Sequence, residues 1–249
     1  MGDEAVERTV LKISGTDAHK FLQDLVTNNL DKEGLIYAAL LTPQGKYLFD
    51  FFLLENDGYY LLDVKSDRAA ALAGRLTMYR LRADVVIEDS GLQVQRGLGA
   101  TPEGAHADPR HTALGWRVYG AHADEKADIN WDAIRVAHCI PETGIELIPD
   151  ETYILEAGFE RLNGVDFKKG CYVGQEISAR MKHKTELRKG LALVEVNGFA
   201  PVGTPITSDG KPAGVLYTQA DGKGIAYLRF NRAKGDLSAG EVIVHLSAA

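Results

Sequence analysis

Two β-rich runs, Lys46–Leu54 and Tyr59–Val64, stand either side of Asn56-Asp57-Gly58. Asn, Asp and Gly tolerate the left-handed backbone of a tight hairpin turn, so the tripeptide predicts that the two runs fold back as antiparallel strands. That pairing narrows the fold, because flanking strands must then join an antiparallel or mixed sheet. Leu35–Thr42 reads as a buried strand ahead of the hairpin, with Pro43-Gln44-Gly45 as the turn between them. Thr9–Ile13 is rich in β-formers. Ala18, Phe21, Leu22 and Leu25 recur at helical spacing, as do Ala69, Leu72, Ala73 and Leu76 behind Ser66, a residue suited to cap a helix. Ala83–Glu88 supplies a last strand. The order strand, helix, three strands, helix, strand predicts an antiparallel sheet with its helices on one face, an α+β layer.

The middle of the chain is less regular. Leu92–Leu98 and Leu114–Tyr119 read as strands around a loop containing Pro102 and Pro109. Trp131 and Ile134 share one side of a helix that stops before Pro141, and Ile154–Leu162 reads as a short helix. Gly164–Gly174 is glycine-rich and basic and leads into a helix from about Gln175 to His183. After Gly190 the runs Leu191–Val196, Pro205–Thr207, Gly214–Thr218, Gly224–Leu228 and Glu241–Leu246 are short, evenly spaced and separated by Gly, Asp and Pro turns. That texture predicts a small β-barrel or sandwich. The change near Glu186 divides the chain into an α+β part, 1–186, and a barrel part, 187–249.

Composition excludes several classes. The chain has 249 residues, 28 Lys plus Arg and 35 Asp plus Glu, for a net charge of −7. It is not a bulk binder of polyanions. No apolar run reaches the roughly 18 residues of a membrane span. The two cysteines, Cys139 and Cys171, are too few for a disulfide framework or a closed metal site of four thiolates. They point to a reducing compartment. With the acidic start Met-Gly-Asp-Glu, which is no signal or transit peptide, they lead to the expectation of a cytoplasmic protein. His106, Asp108 and His111 are metal-ligand types, but their segment reads as a loop without helical ligand spacing, and no metal is assigned.

The densest chemistry lies in Asp166-Phe167-Lys168-Lys169-Gly170-Cys171-Tyr172-Val173-Gly174-Gln175-Glu176. Cys171 follows two lysines and precedes a helix start, and both neighbours favour a thiolate. Gly170 and Gly174 permit close backbone approach or positive φ. Gln175 and Glu176 can cap the helix or bind a ligand. From Lys168 to Lys189 seven basic side chains face two acidic ones, against the acidic balance of the whole. Such a segment suggests an anionic ligand or partner, or else a solvated helix face.

Lys169-Gly170-Cys171-Tyr172-Val173-Gly174-Gln175-Glu176 resembles the signature of the YgfZ family, folate-binding proteins related to the T-protein (aminomethyltransferase) of the glycine cleavage system. Ile13–Gly15 with Phe21–Gln23, Gln44–Asp50, Asp108–Arg110 with Leu114–Arg117, and Ile140-Pro141 are similar to further family segments. The resemblance implies a T-protein-like, three-lobed architecture, two α+β (ferredoxin-like) lobes and a C-terminal β-barrel around a central cavity. It implies tetrahydrofolate there, polyglutamylated or carrying a one-carbon unit. Trp131, Asp50, Arg135, Gly170 and Gly174 would serve the folate, and Cys171, Lys169, Tyr172, Gln175 and Glu176 the reactive centre. The family's second site aromatic falls at Arg8. The expected role is that of an accessory factor for assembly or maintenance of iron–sulfur enzymes, including those that modify tRNA. The expected partners are iron–sulfur client or assembly proteins, around a monomer with no membrane contact. Two alternatives stand beside it: a folate-dependent aminomethyl transferase, favoured by Asp50, and a tRNA-binding module using Lys168–Lys189. Little other T-protein substrate machinery is recognisable.

Overall fold

The computed structural model describes residues 7–121, 128–184 and 186–247, without the side chain of Lys184. The first six residues, and with them the acidic start Met-Gly-Asp-Glu, lie outside the described residues. The chain forms two compact units, Met1–Ile129 with Glu160–Gln175, and Asn130–Phe159 with Glu176–Ala249.

In the first unit, β1 (Arg8–Ser14), α1 (Ala18–Gln23), β2 (Ile36–Leu41), β3 (Tyr47–Asn56), β4 (Tyr59–Lys65), α2 (Ser66–Arg80) and β5 (Val86–Asp89) follow in the expected order. The strands form an antiparallel sheet in the order β2-β3-β4-β1-β5. Asp57 and Gly58 take φ of 38° and 85°, as the Asn-Asp-Gly signal requires. Phe21, Leu22 and Leu25 from the α1 region and Leu72 and Leu76 of α2 pack with Ile13, Leu40, Phe51 and Leu62 in one core on one face of the sheet. Ser66 is the first helical residue and not the cap. Lys65 occupies the cap position, and the Ser66 hydroxyl accepts from Thr9 at 2.9 Å.

Three short strands, β6 (Gln93–Gly97), β7 (His106–Ala107) and β8 (Trp116–Gly120), form a second sheet in the order β6-β8-β7. A buried cluster of charged side chains joins it to the first sheet. Asp63 on β4 accepts from Arg8 Nε at 2.5 Å, Arg117 Nη1 at 3.1 Å and Tyr119 Oη at 3.1 Å. Arg117 also donates to Asp108, which Arg110 grips with Nε at 3.0 Å and Nη2 at 2.9 Å. The guanidinium carbons of Arg8, Arg110 and Arg117 lie 5.5, 4.9 and 3.9 Å from the Phe52 ring centre. Burial alone would raise the Asp63 and Asp108 carboxyls, but the guanidinia outweigh it and hold both below the usual range.

In the second unit, α3 (Trp131–Ala137) starts at Asn130, whose side chain accepts from Ala133 N at 2.8 Å. It ends with Cys139 at φ 50° while Ile140 N returns to Arg135 O at 2.8 Å and Cys139 N to Val136 O at 3.0 Å. That is a Schellman closure with a cysteine where glycine usually sits. The apolar side chains of Ile154–Leu162 are buried, but the backbone is a run of turns and not the helix expected. Gly158 and Asn163 at φ 78° and 54° break the helical path. The helix α4 (Gln175–Lys184) precedes a closed barrel of β9 (Lys189–Asn197), β10 (Thr204–Ser208), β11 (Lys211–Ala220), β12 (Lys223–Arg229), β13 (Leu237–Ala239) and β14 (Val242–Leu246), paired in the order β10-β11-β12-β9-β14-β13 and closed by β10 with β13.

Candidate functional site

The signature loop is stitched into the first unit by the chain that follows α1. Thr27, fully buried, donates to Gly164 O at 2.7 Å and accepts Ala39 N at 2.8 Å. Asn28 Nδ2 donates to Tyr37 O at 2.8 Å and Asn163 O at 2.6 Å. Asp166 N donates to Thr27 O at 3.0 Å, and the Asp166 carboxylate meets Lys32 Nζ at 2.8 Å. These bonds also cover the open edge of β2, whose backbone groups would otherwise lack partners.

Two anchors fix the loop itself. Lys169 is buried, and its ammonium donates to three main-chain carbonyls, Gln23 O at 2.7 Å, Val26 O at 2.6 Å and Asn28 O at 2.9 Å. Gln23 ends α1, where carbonyls have no helical partner and a cation is favourable. Burial pushes the Lys169 amine down to about 8. The second anchor is Gly174, at φ 81°. A Cβ there would stand 2.5 Å from Thr42 O and 3.1 Å from Gly45 Cα, so the backbone lies flush on the β2–β3 turn. Between the anchors Tyr172 is buried, its ring centre 5.3 Å from the Lys169 ammonium. Cys171 is exposed. Gly170 is open, and a Cβ added there would meet nothing within 4 Å.

The remaining expected residues divide between the units. Asp50 on β3 is buried and receives the hydroxyls of Tyr47 at 2.6 Å and Tyr37 at 3.0 Å. Trp131 opens α3 in the second unit and is also buried. Arg135 lies one turn on, with all five N–H groups directed within that unit: to Asp132 from Nε and Nη2, to Ile140 O and Glu146 from Nη1, and to Thr218 from Nη2. It fastens α3 to β11, with its five donors all taken by partners in the second unit. Lys169 likewise has its three donors taken by main-chain carbonyls, which anchors the loop that carries Cys171. Glu176 is exposed and pairs with Arg180 at 2.8 Å, while Gln175 makes one long bond to Gly170 O at 3.4 Å.

The basic run Lys168–Lys189 is therefore not one open face. Lys169 is buried, Arg180 is paired with Glu176, and Lys189 lies 3.7 Å from Glu156. Asp108, from the segment with metal-ligand residue types, is committed to Arg110 and Arg117.

Known proteins share the fold, and others share up to about 30% of the sequence. The C-terminal beta-barrel domain of CAF17 matches residues 188–249. The solved structure of the glycine cleavage system aminomethyltransferase T from Bartonella henselae superposes with a TM-score of 0.76 over 98% of this chain and 83% of that one, at 13% identity. The T-protein fold with its terminal barrel is thus present. Among curated proteins, the mitochondrial iron-sulfur cluster assembly factor IBA57 of Homo sapiens is 30% identical over 92% of this chain and 78% of its own length. The Mus musculus factor matches equally, and a Neurospora crassa homologue is 29% identical over 78% of this chain and 54% of its own length.

These relatives are mitochondrial by name, which overturns the cytoplasmic expectation. Free thiols separate reducing from oxidising surroundings, and do not separate one reducing compartment from another. At 30% identity across 78% of the human and mouse factors, the chain belongs to the IBA57 family of iron-sulfur cluster assembly factors.

Proposed function

We propose that this protein binds tetrahydrofolate and acts as an accessory factor in the assembly or maintenance of iron–sulfur enzymes, tRNA-modifying enzymes among its clients. The observation that carries the reading is the exposed thiol of Cys171, held between the Lys169 and Gly174 anchors. The names of the relatives supply the process, and the likeness of Lys169–Glu176 to the YgfZ signature supplies the folate. A cluster needs more thiolates than Cys139 and Cys171 provide, so it is cargo shared with a client.

The residues assigned to folate fit it in part. Asp50 offers a carboxylate to pterin N–H donors and Trp131 a flat ring for stacking, while Arg135 and Gly174 are committed within their own units. Bound folate would supply one-carbon chemistry, and within the first unit the Asp50 carboxylate would orient it.

Cells lacking the gene and carrying the wild type or a Cys171→Ser copy provide the test. The wild type restores iron–sulfur enzyme activities and Cys171→Ser does not. In a Trp116→Phe background, tetrahydrofolate quenches Trp131 fluorescence in the micromolar range, roughly −8 kcal/mol. Full rescue by Cys171→Ser removes the thiol from the reading. No quenching and no heat at millimolar tetrahydrofolate removes the folate.

A further inference from the structure

A cavity of about 460 Å³ in the second unit is lined by Met181 of α4, Arg188 just before β9, Lys189 at the start of β9, Arg229 at the end of β12, and the carboxylates Glu156 and Glu186. Arg229 stands directly opposite Lys189 in the β9–β12 pair, and like charges so placed repel. Lys189 has a partial answer in Glu156 Oε1 at 3.7 Å, but the other Glu156 oxygen accepts the Tyr227 hydroxyl at 2.7 Å. Among the described residues, neither the Arg188 nor the Arg229 guanidinium makes a hydrogen bond or ion pair. Glu186 lines the same space and bonds to neither.

Two unclaimed guanidinia beside an ammonium form a recognition surface for anions, because each planar fork matches a carboxylate or phosphate in two bonds. Met181 and the neighbouring Leu187 add an apolar wall. The volume lies in the usual range for small-molecule sites, roughly 300–1,000 Å³. We propose that this cavity binds a small molecule carrying two or more anionic groups, carboxylate or phosphate, on a short apolar body. The proposal does not depend on the thiol or folate reading.

Calorimetry of the full chain at low salt tests it, with citrate and inorganic pyrophosphate as separate probes. Three proteins are compared: wild type, Arg188→Gln/Arg229→Gln, and the charge-matched control Lys211→Gln/Lys223→Gln. All four substituted positions are exposed, and melting temperatures verify that the fold persists. The expected result is binding by the wild type and the control, weakened about tenfold or more in the arginine variant. Citrate alone binding assigns carboxylates, pyrophosphate alone assigns phosphates, and both support the site. No binding at millimolar probe overturns it, as does an equal loss in the control, which would mean attraction by net charge only. An RNA oligonucleotide that displaces either probe through the same arginines, with a steep salt dependence, would overturn it in favour of a nucleic-acid face.

Discussion

The Lys169 ammonium lies 2.6 Å from the carbonyl oxygen of Val26, a partner 143 residues earlier in the chain. Through this bond and those to Gln23 O and Asn28 O, a residue two places before the exposed thiol is fixed to the end of α1.

Lys169→Met keeps the length of the side chain and removes its donors. With buried carbonyls left unsatisfied, it is expected to cost roughly 1–3 kcal/mol in urea unfolding. Iodoacetamide should then reach Cys171 faster, because the loop loses one anchor. An unchanged midpoint and labelling rate would show that the clamp holds nothing.

Lys169 also predicts a pH dependence with a definite sign. Its amine lies at about 8 in the folded chain against an ordinary 10.5, so between those values the unfolded state binds more protons. The Lys169 contribution is present above the unfolded value and lost as pH falls through the folded one. The stability of wild type relative to Lys169→Met should therefore rise with pH from about 8 to 10. A flat or falling difference would contradict the burial effect.

Gly174 and Gly170 make a matched pair. Gly174→Ala brings Cβ to 2.5 Å from Thr42 O at φ 81° and is expected to lose about 1–3 kcal/mol. Gly170→Ala meets nothing within 4 Å and should change stability by no more than about 0.5 kcal/mol. Equal effects in thermal melts would refute the role of the β2–β3 turn as an anchor.

Asp63 sits between Arg8 and Arg117 with no exposure. Asp63→Asn leaves two guanidinia facing a neutral amide, at an expected cost of about 3–5 kcal/mol. Because the carboxyls of Asp63 and Asp108 are held below the ordinary 3.8, their contribution is full above that value and lost as pH falls below it. Acid unfolding of the wild type should accordingly be steeper than that of Asp63→Asn; parallel acid curves would mean that Asp63 titrates as an ordinary carboxyl.

The cysteines separate by environment. Cys171 is exposed, whereas Cys139 is half-buried at the left-handed closure of α3. Limiting iodoacetamide should mark Cys171 first. Cys139→Gly should stabilise the chain by about 1 kcal/mol, since glycine takes that backbone without strain. Peptide mapping and denaturant melts read the two outcomes, and faster modification of Cys139 would reverse the assignment.

Local chemistry makes much of the fold legible. Asn56-Asp57-Gly58 sets the hairpin, and the helical spacing of Ala18–Leu25 and Ala69–Leu76 sets the covered face of the sheet. Leu237–Ala239 escapes a sequence reading because a strand of three residues leaves no periodic trace. Ile154–Leu162 misleads it, because its apolar spacing serves a core while Gly158 turns the backbone. At the site, Lys169 reads in sequence as a neighbour of Cys171. Its true partners lie between Gln23 and Asn28, and nothing in sequence spacing connects segments so far apart. The Asp63–Arg117–Asp108 chain is hidden for the same reason, since each charge reads alone as a surface residue.

Each unit is made from two separated stretches of chain: Asn130–Phe159 is synthesised before Glu160–Gln175, yet belongs with the barrel that follows. The first sheet therefore cannot acquire Lys169 and Gly174 until the opening stretch of the second unit has already left the ribosome, and that stretch must wait in turn for β9 to β14. Folding during synthesis is interleaved, not sequential. A fragment beginning at 187 would lack Glu146, which binds Thr218 of β11, and Glu156, whose carbonyl receives Leu191 N at 2.7 Å. The barrel sequence is a recognisable module in alignment, while the physical module also requires a stretch encoded before the signature.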